Sequence, residues 1–270
     1  MNNISRFYYK DYFSGIDFSY LLGASSSTSK APDNVVQTIG RRNSQLKKSQ
    51  LHVIEANPLV GDNKFSLKVA YPGLATGTGI THETGIAGEF KLGMHFDYTY
   101  GMPVIYGSSV KGVLRSAFPD KKYKEKIRKC KEGQIREYLG VGFENIDVEA
   151  LRDQIFCGLE NGKPVSIYKR DIFFDAVIVK PYHRNGEERI LESDSITPHG
   201  DNPLKNPVPI TFMKIASGVV MEFRFDLKDF ASNGQIIVSK EQKLSLLKKI
   251  LLDFGVGAKT NVGYGQFTEI

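Results

Sequence analysis

The most distinctive stretch of this 270-residue sequence is Phe254-Gly-Val-Gly-Ala-Lys-Thr-Asn-Val-Gly-Tyr-Gly-Gln-Phe267. Glycine has no Cβ atom, so it adopts left-handed turns and lets the backbone lie directly against a ligand. Bare amides in such a loop form an anion-binding concavity, to which a central lysine adds a fixed charge. The stretch therefore predicts a phosphate-binding loop, with candidate residues Gly255, Gly257, Lys259, Thr260, Asn261, Gly263, Tyr264 and Gly265. The alternative is a glycine-rich turn that leads into a last strand at 265–270.

The kind of phosphate ligand can be narrowed by elimination. A nucleotide-binding P-loop has the pattern G-x-x-x-x-G-K-[ST] between a strand and a helix. Here Ala258 precedes Lys259, Asp253 occupies the position of the first glycine, and too few residues follow to form the helix. The regular alternation of small residues with Lys, Thr, Asn and Tyr favours the backbone of a polynucleotide instead.

A second motif is Pro103-Val-Ile-Tyr-Gly-Ser-Ser-Val-Lys-Gly-Val-Leu-Arg-Ser-Ala-Phe118, which predicts a short buried strand, a turn and a helix. A serine of the turn is a natural N-cap, because its hydroxyl can accept a hydrogen bond from a first-turn amide. Two cations four residues apart share one face of the helix near its positive N-terminus, which attracts phosphate. The candidate residues are Gly107, Ser108, Ser109, Lys111 and Arg115. The alternative is an ordinary capped helix with a solvated basic face.

Composition agrees with a polyanionic partner. The formal net charge is +6, although 36 basic against 30 acidic side chains make a mixed surface. The two cysteines, Cys130 and Cys157, give neither a disulfide framework nor a C-x-x-C metal pair, which favours a reducing compartment. The sequence has no signal-peptide h-region and no apolar run of membrane-spanning length. We therefore expect a cytoplasmic protein without a membrane partner.

The remaining sequence alternates between strand and helix patterns. Strands are predicted at 64–69, 172–179, 219–227 and 265–270, with helices after residue 107 and at 240–252. This order matches the ferredoxin-like βαββαβ plan, which also underlies RNA-recognition modules. We predict an α+β protein with an N-terminal extension at 1–63 and a ferredoxin-like domain at 64–270. That domain carries a helical insertion at about 120–162 and a loop or hairpin insertion at about 181–209.

The N-terminal extension is dense in aromatic residues, namely Phe7, Tyr8, Tyr9, Tyr12, Phe13, Phe18 and Tyr20. Aromatic rings can serve as stacking platforms for bases. The interpretation that we favour is a segment that docks on the body of the protein or on a neighbouring subunit.

Taken together, the two motifs resemble those of the RAMP superfamily of CRISPR-associated proteins, and most closely the sixth-subunit family of the type III-B (Cmr) effector complex. The resemblance rests on Gly107-Ser-Ser with Lys111-Gly-x-x-Arg115 and on Gly255-x-Gly-Ala-Lys-Thr-x-x-Gly-Tyr-Gly265. The segments Asp171–Ala176 and Asp194–His199 are also similar to the family. The resemblance implies a modified ferredoxin-like (RRM-like) fold with long insertions, one of which forms a thumb-like hairpin. Segments 73–93 and 181–209 are both candidates for this thumb.

The resemblance also implies a function in antiviral defence. Such a subunit binds the 3′ part of the CRISPR RNA and helps position target single-stranded RNA beside other RAMP subunits of the Cmr complex. The two candidate sites would then clamp the RNA backbone without reading its sequence.

Two residue pairs are candidates for catalysis, His82-Glu83 and, at strand-like spacing on one face, His95 with Asp97. No H-E-x-x-H or comparable metal motif is present in the sequence. In the family, backbone subunits cleave target RNA with an aspartate in the loop before the Gly-Ser-Ser motif, and here that position falls near Lys91. We therefore predict a non-catalytic subunit without a cofactor. Two alternatives stay open: a RAMP-type endoribonuclease that processes CRISPR precursor RNA with a histidine, and a scaffold that binds only proteins.

Overall fold

The structure is a computed structural model that describes residues 3–22, 30–51, 61–79, 84–197, 209–232 and 234–270. Within these ranges the α-helices are α1 (Ile4–Arg6), α2 (Asp33–Lys47), α3 (Gly107–Ala117), α4 (Glu125–Leu139), α5 (Val148–Arg152) and α6 (Lys240–Phe254). A π-helical turn continues α1 at Phe7–Asp11 and another continues α5 at Asp153–Cys157. Short 3-10 helices lie at Ser19–Leu21, Ile167–Lys169 and Thr260–Val262. None of the helices in the described ranges has the length and hydrophobicity needed to cross a membrane.

The strands are β1 (Asn63–Val69), β2 (Val104–Ile105), β3 (Leu159–Glu160), β4 (Lys163–Pro164), β5 (Ile172–Phe173), β6 (Ala176–Lys180), β7 (Tyr182–Arg184), β8 (Glu187–Arg189), β9 (Leu191–Ile196), β10 (Ile210–Ile215), β11 (Val220–Asp226), β12 (Phe230–Ser232), β13 (Gln235–Val238) and β14 (Phe267–Thr268). The main sheet has the order β14-β1-β11-β6-β2, and β5 also pairs with β11. All of its pairings are antiparallel. The α+β class is therefore confirmed.

The centre of the sheet follows the alternation of apolar residues in the sequence. In the register between β1 and β11, Phe65 lies opposite Phe223 and Leu67 opposite Met221. The Phe65 ring centroid is 5.5 Å from that of Phe223, a stacked arrangement. Side chains from α3 and α6 belong to the same apolar cluster, among them Val110, Leu114, Leu247, Ile250 and Leu251. The two helices thus cover the face of the sheet that carries these aromatic residues.

The strand predicted at 172–179 is interrupted. β5 and β6 both pair with β11, but Phe174 and Asp175 stand between them outside any strand. Asp175 turns its carboxylate to α3, where Oδ1 accepts a hydrogen bond of 2.7 Å from the amide of Gly107. The prediction of one continuous strand was wrong because this tertiary contact uses a residue in its middle.

A fully buried lysine fixes α6 to the rest of the fold. Lys243 donates from Nζ to Gln154 Oε1 at 2.5 Å, to Asp171 Oδ2 at 2.9 Å and to the carbonyl oxygen of Lys228 at 2.5 Å. Burial lowers the pKa of Lys243 and raises the pKa of Asp171, and their mutual attraction opposes both shifts. The helical spacing of apolar residues in the sequence places Leu244 on the inward face of this helix. Leu244 is only half-buried, whereas Lys243 and Leu246 are fully buried.

The aromatic N-terminal segment packs onto the body. Tyr8 and Tyr12 have no exposed surface. The Tyr8 hydroxyl donates to the carbonyl oxygen of Leu92 at 2.8 Å, and the Tyr12 hydroxyl accepts from the amide of Phe90 at 3.0 Å. The docking interpretation is thus confirmed for these two residues. Tyr9 differs, because 40% of its surface stays exposed.

The predicted insertions contain regular elements. Segment 120–162 includes α4, α5 and the short β3. Segment 181–209 includes the β7–β8 hairpin and β9, while residues 198–208 of it lie outside the described ranges. The division into an extension at 1–63 and a domain at 64–270 stays a prediction.

Candidate nucleic-acid interface

The glycine loop, residues 255–265, follows α6 and is pinned to a neighbouring loop by backbone hydrogen bonds. The amide of Val256 donates to the carbonyl of Gly265 at 2.9 Å, which closes the loop on itself. The amide of Gly265 donates to Gly73 at 2.8 Å, and the amide of Ala258 donates to Ala75 at 2.8 Å. The loop is therefore a defined part of the fold.

Three of its glycines are required by contacts within the protein. Gly255, Gly257 and Gly265 all have positive φ, at 65°, 105° and 69°. A Cβ atom at Gly265 would lie 2.0 Å from the carbonyl oxygen of Val256, and one at Gly257 would lie 2.5 Å from that of Ala75. A Cβ atom at Gly255 would lie 2.5 Å from the carbonyl oxygen of Gly265. These glycines thus let two segments of the same chain pack closely against each other, and this packing alone requires glycine.

The anion-binding part of the loop lies around Lys259. Lys259 adopts the left-handed conformation at φ 61° and leads into the 3-10 turn at Thr260–Val262. A left-handed residue followed by a right-handed one points successive amides into one concavity. Within the described ranges, the amides of Lys259, Thr260 and Asn261 donate to no protein acceptor. Three consecutive backbone amides, those of Lys259, Thr260 and Asn261, are thus available to an anion, and the first of these residues also carries a positive charge.

Tyr264 anchors the loop instead of facing solvent. Its side chain is buried, and its hydroxyl donates to Asp194 Oδ2 at 2.8 Å. Lys214 Nζ donates to the same oxygen at 2.6 Å. Burial would raise the pKa of Asp194, but hydrogen bonds from Lys214, Tyr264 and the amide of Ser195 outweigh burial and hold this pKa below its usual value. Sequence analysis missed Asp194 and Lys214 as partners of the loop, since they lie on β9 and β10.

The helix of the second motif begins earlier than the predicted serine cap. α3 starts at Gly107, and its N-cap is Tyr106, which makes no side-chain capping bond. The prediction that Ser108 or Ser109 caps the helix was therefore wrong, because both serines lie inside the first turn. Gly107 packs so tightly on β5 that a Cβ atom would lie 2.4 Å from the carbonyl oxygen of Phe173.

Charges of both signs surround the start of α3. The carboxylate of Asp175 accepts from the first helical amide, so one position that a phosphate could occupy is already filled. The cations lie further along the helix. Lys111 Nζ is 5.5 Å from the centroid of the Phe173 ring, and Arg115 is exposed. Ser108 is exposed and Ser109 is half-buried.

A chain of contacts, here called the connecting strip, joins the two motifs. Ala258 forms an isolated antiparallel bridge with Ala75. Two residues further on, Gly77 is so close to His95 that a Cβ atom would lie 2.7 Å from the imidazole. The His95 ring stacks on Tyr106 with centroids 4.3 Å apart, and Tyr106 is the N-cap of α3. The structure thus connects the glycine loop with the helix start, although about 150 residues separate them in the sequence.

The candidate catalytic residues are less well assembled. Burial lowers the pKa of His95, and the charge of Asp175 partly opposes that shift. Asp97 Oδ1 accepts from the amides of Thr99 at 2.9 Å and Tyr100 at 2.6 Å, so its carboxylate stabilises a tight turn. Among the described residues, no hydrogen bond joins His95 to Asp97. The pair His82-Glu83 lies outside the described residues.

Comparison with known proteins settles the family. The profile of the RAMP superfamily matches residues 66–268, which is most of the chain. The chain belongs to the RAMP superfamily. This RAMP protein is similar to the CRISPR system Cmr subunit Cmr6 of Pyrococcus furiosus, with 26% identity over 213 residues. The aligned region covers 63% of the chain and 59% of that relative.

Two solved structures are similar to this RAMP protein. A chain in the cryo-EM structure of the type III-B Cmr-beta bound to cognate target RNA has a TM-score of 0.53 at 16% identity. That match covers 97% of this chain and 84% of the other. The crystal structure of Cmr6 from Pyrococcus furiosus has a TM-score of 0.42 at 22% identity, covering 77% of this chain and 96% of that one. The family prediction made from the two motifs is confirmed.

Proposed function

We propose that this RAMP protein is a non-catalytic RNA-binding subunit of a type III-B CRISPR effector complex in antiviral defence. In this role it binds the 3′ part of the CRISPR RNA and helps position target single-stranded RNA, together with other RAMP subunits. Its similarity to the Cmr subunit Cmr6 supports the assignment to this complex. The observation that carries the RNA-binding role is the set of free amides around Lys259, joined to the cationic flank of α3 by the connecting strip.

The chemistry of these groups suits a nucleic-acid backbone. Amides in a concavity and a lysine ammonium bind phosphate oxygens but carry no information about the base. Lys111 and Arg115 add two cations on one face of α3. A clamp of this kind retains guides of any sequence, which a CRISPR effector requires because its spacers differ.

We also infer that the core follows the ferredoxin-like plan with a glycine-rich C-terminal loop. β1, α3, β6, β11, α6 and β14 occur in the order βαββαβ along the chain. The sheet order β14-β1-β11-β6 places the first strand next to both the third and the fourth. The same plan underlies RNA-recognition modules, which supports the proposed ligand class.

The proposal that the subunit does not cleave target RNA rests on the loop before α3. The backbone subunits of the family have their cleaving aspartate in this loop. In this chain the corresponding position falls near Lys91 and not on a carboxylate. The amide of Lys91 donates to the carbonyl of Thr211 at 2.9 Å, which ties this point to β10. The competing function is a processing endoribonuclease, for which His95 on the connecting strip is a candidate histidine.

The test is a salt titration of RNA binding by the full chain. Binding of several unrelated single-stranded RNAs is measured for wild type, Lys259→Ala and the double variant Lys111→Ala with Arg115→Ala. Because log K falls by about 0.7 per log unit of salt for each phosphate neutralised on a single strand, each lost contact should reduce the slope by about that amount. The matched control is Lys163→Ala, which removes an exposed lysine of β4 far along the chain from both motifs.

Three results would contradict the proposal. If the slope of log K against log salt concentration is unchanged in both variants, these residues do not bind the RNA backbone. Weaker binding to some sequences only would indicate base reading. Cleavage of repeat RNA at one bond by wild type, abolished by His95→Ala, would establish the processing endoribonuclease instead.

A further inference from the structure

A pocket of about 770 Å³ opens beside the connecting strip, between the N-terminal helical segment and the loop around residues 95–98. This aromatic pocket is lined by Arg6, Tyr9, Lys10, His95, Tyr98 and Tyr106, among others. Its volume lies within the range of about 300–1,000 Å³ that is typical of small-molecule sites. The wall residues between positions 3 and 11 precede the region that the RAMP profile matches.

Two aromatic side chains of the pocket, Tyr9 and Tyr106, are held in place by hydrogen bonds of their hydroxyl groups. The Tyr9 hydroxyl donates to the carbonyl of Met94 at 2.6 Å, and the Tyr106 hydroxyl donates to that of Phe96 at 3.3 Å. His95 stacks on Tyr106, which makes a flat double-layered wall. Tyr98 is 87% exposed and lines the same pocket as Tyr106. Rigid rings with free surface are the platforms on which nucleobases stack.

Two cations stand on the N-terminal side of this pocket. Arg6 and Lys10 are four residues apart, and Lys10 is exposed. The guanidinium of Arg6 is 4.0 Å from the carboxylate of Asp11, and 76% of the Arg6 side chain is exposed. A solvent-exposed ion pair of this length is weak, so Arg6 can still bind a phosphate. Aromatic faces flanked by cations are the features that recognise a nucleotide unit.

We propose that the aromatic pocket holds one unpaired nucleotide of the RNA that the glycine loop and α3 bind. The base stacks in the pocket beside Tyr98 and Tyr106, and Arg6 and Lys10 bind an adjacent phosphate. The inference rests on the proposed function, because His95 and Tyr106 belong to both the pocket and the connecting strip. It deepens that function by adding a base contact to a site otherwise made of backbone contacts.

The test compares removal of a stacking ring with removal of a backbone contact. The full chain is titrated with a single-stranded RNA and with the same RNA carrying abasic residues. Tyr98→Ala should weaken binding of the intact RNA about tenfold, as expected for the loss of one stacked base. The salt slope should not change, because Tyr98 neutralises no phosphate. Tyr98→Phe retains the ring and should restore the affinity, whereas Arg6→Ala with Lys10→Ala should lower the slope.

The outcomes separate this inference from the proposed function. The control is Tyr168→Ala, which removes a similarly exposed ring that does not line this pocket. If Tyr98→Ala binds like wild type while Lys259→Ala loses affinity, the pocket inference fails and the backbone clamp stands. If Tyr98→Ala weakens binding to intact and abasic RNA equally, base stacking is also refuted. If the wild-type chain binds no RNA, the proposed function itself is wrong.

Discussion

Replacing Lys243 by methionine tests whether a buried ion pair fixes α6 to the body. The Lys243 side chain has no exposed surface, and its ammonium donates to Gln154, Asp171 and the carbonyl of Lys228. Methionine fills a similar volume but carries no charge and no donor. Lys243→Met therefore leaves a buried carboxylate oxygen and two further acceptors without the partner that they have in the wild type.

The magnitude follows from the burial of both charges. Neither the ammonium nor the carboxylate has exposed side-chain surface, so solvent cannot replace the lost partner. Breaking such a pair from one side costs about 3–5 kcal/mol. In a domain of about 150–250 residues, 1 kcal/mol changes Tm by about 2–4 °C, so Lys243→Met should lower Tm by about 6–20 °C. Asp171→Leu combined with Lys243→Met removes both charges and should regain most of this loss.

Urea denaturation and calorimetry on wild type, the single variant and the double variant measure these differences. The matched control is Lys240→Met, an exposed position at the start of the same helix, where we expect a change within about 0.5 kcal/mol. A Lys243→Met protein as stable as wild type would refute the reasoning. So would a double variant that is no more stable than the single one, because the carboxylate without its partner would then not be the cause.

Two further predictions concern the glycine loop. Gly265→Ala should disrupt the loop, because its Cβ atom would lie 2.0 Å from the Val256 carbonyl oxygen. The control is Gly112→Ala on the open side of α3, which should leave the loop intact. Limited proteolysis should cleave the loop faster in the Gly265 variant only. The lowered pKa of Asp194 means that its stabilising effect is present above its unfolded pKa of about 3.9 and is lost as pH falls through the folded-state pKa. The difference in urea midpoint between wild type and Asp194→Asn should therefore shrink in acid, and a constant difference would contradict this assignment.

The order of the elements was accessible from local patterns. Alternation of apolar residues predicted β1 and β11, and helical spacing predicted α6 within two residues of its bounds. What local patterns could not supply were pairings across the chain. The break at Asp175 depends on Gly107, and the burial of Lys243 depends on Asp171, so neither could be predicted from its own segment.

The candidate site shows the same division. The sequence identified the glycine loop and the start of α3, and the family assignment made from them is confirmed. From the sequence, the glycines were expected to let the backbone approach a ligand. In the structure they let it approach the carbonyl oxygens of Ala75 and Val256, which a local pattern does not reveal. Asp171, Asp175 and Asp194 were noted only as parts of segments similar to the family. Each of them makes a structural contact: to Lys243, to α3 and to the glycine loop.

The pairing of β14 with β1 has a consequence for biosynthesis. Lys68 lies opposite Thr268 and Val69 opposite Phe267, so the first strand of the sheet gains this neighbour only after about 200 more residues have been translated. Because synthesis proceeds at about 5–20 residues per second, roughly 10–40 s pass between translation of β1 and translation of β14. The glycine loop, pinned to Gly73 and Ala75, can close only in the same late step. A nascent chain can therefore close the glycine loop and complete this edge of the sheet only after β11 and α6 have been translated.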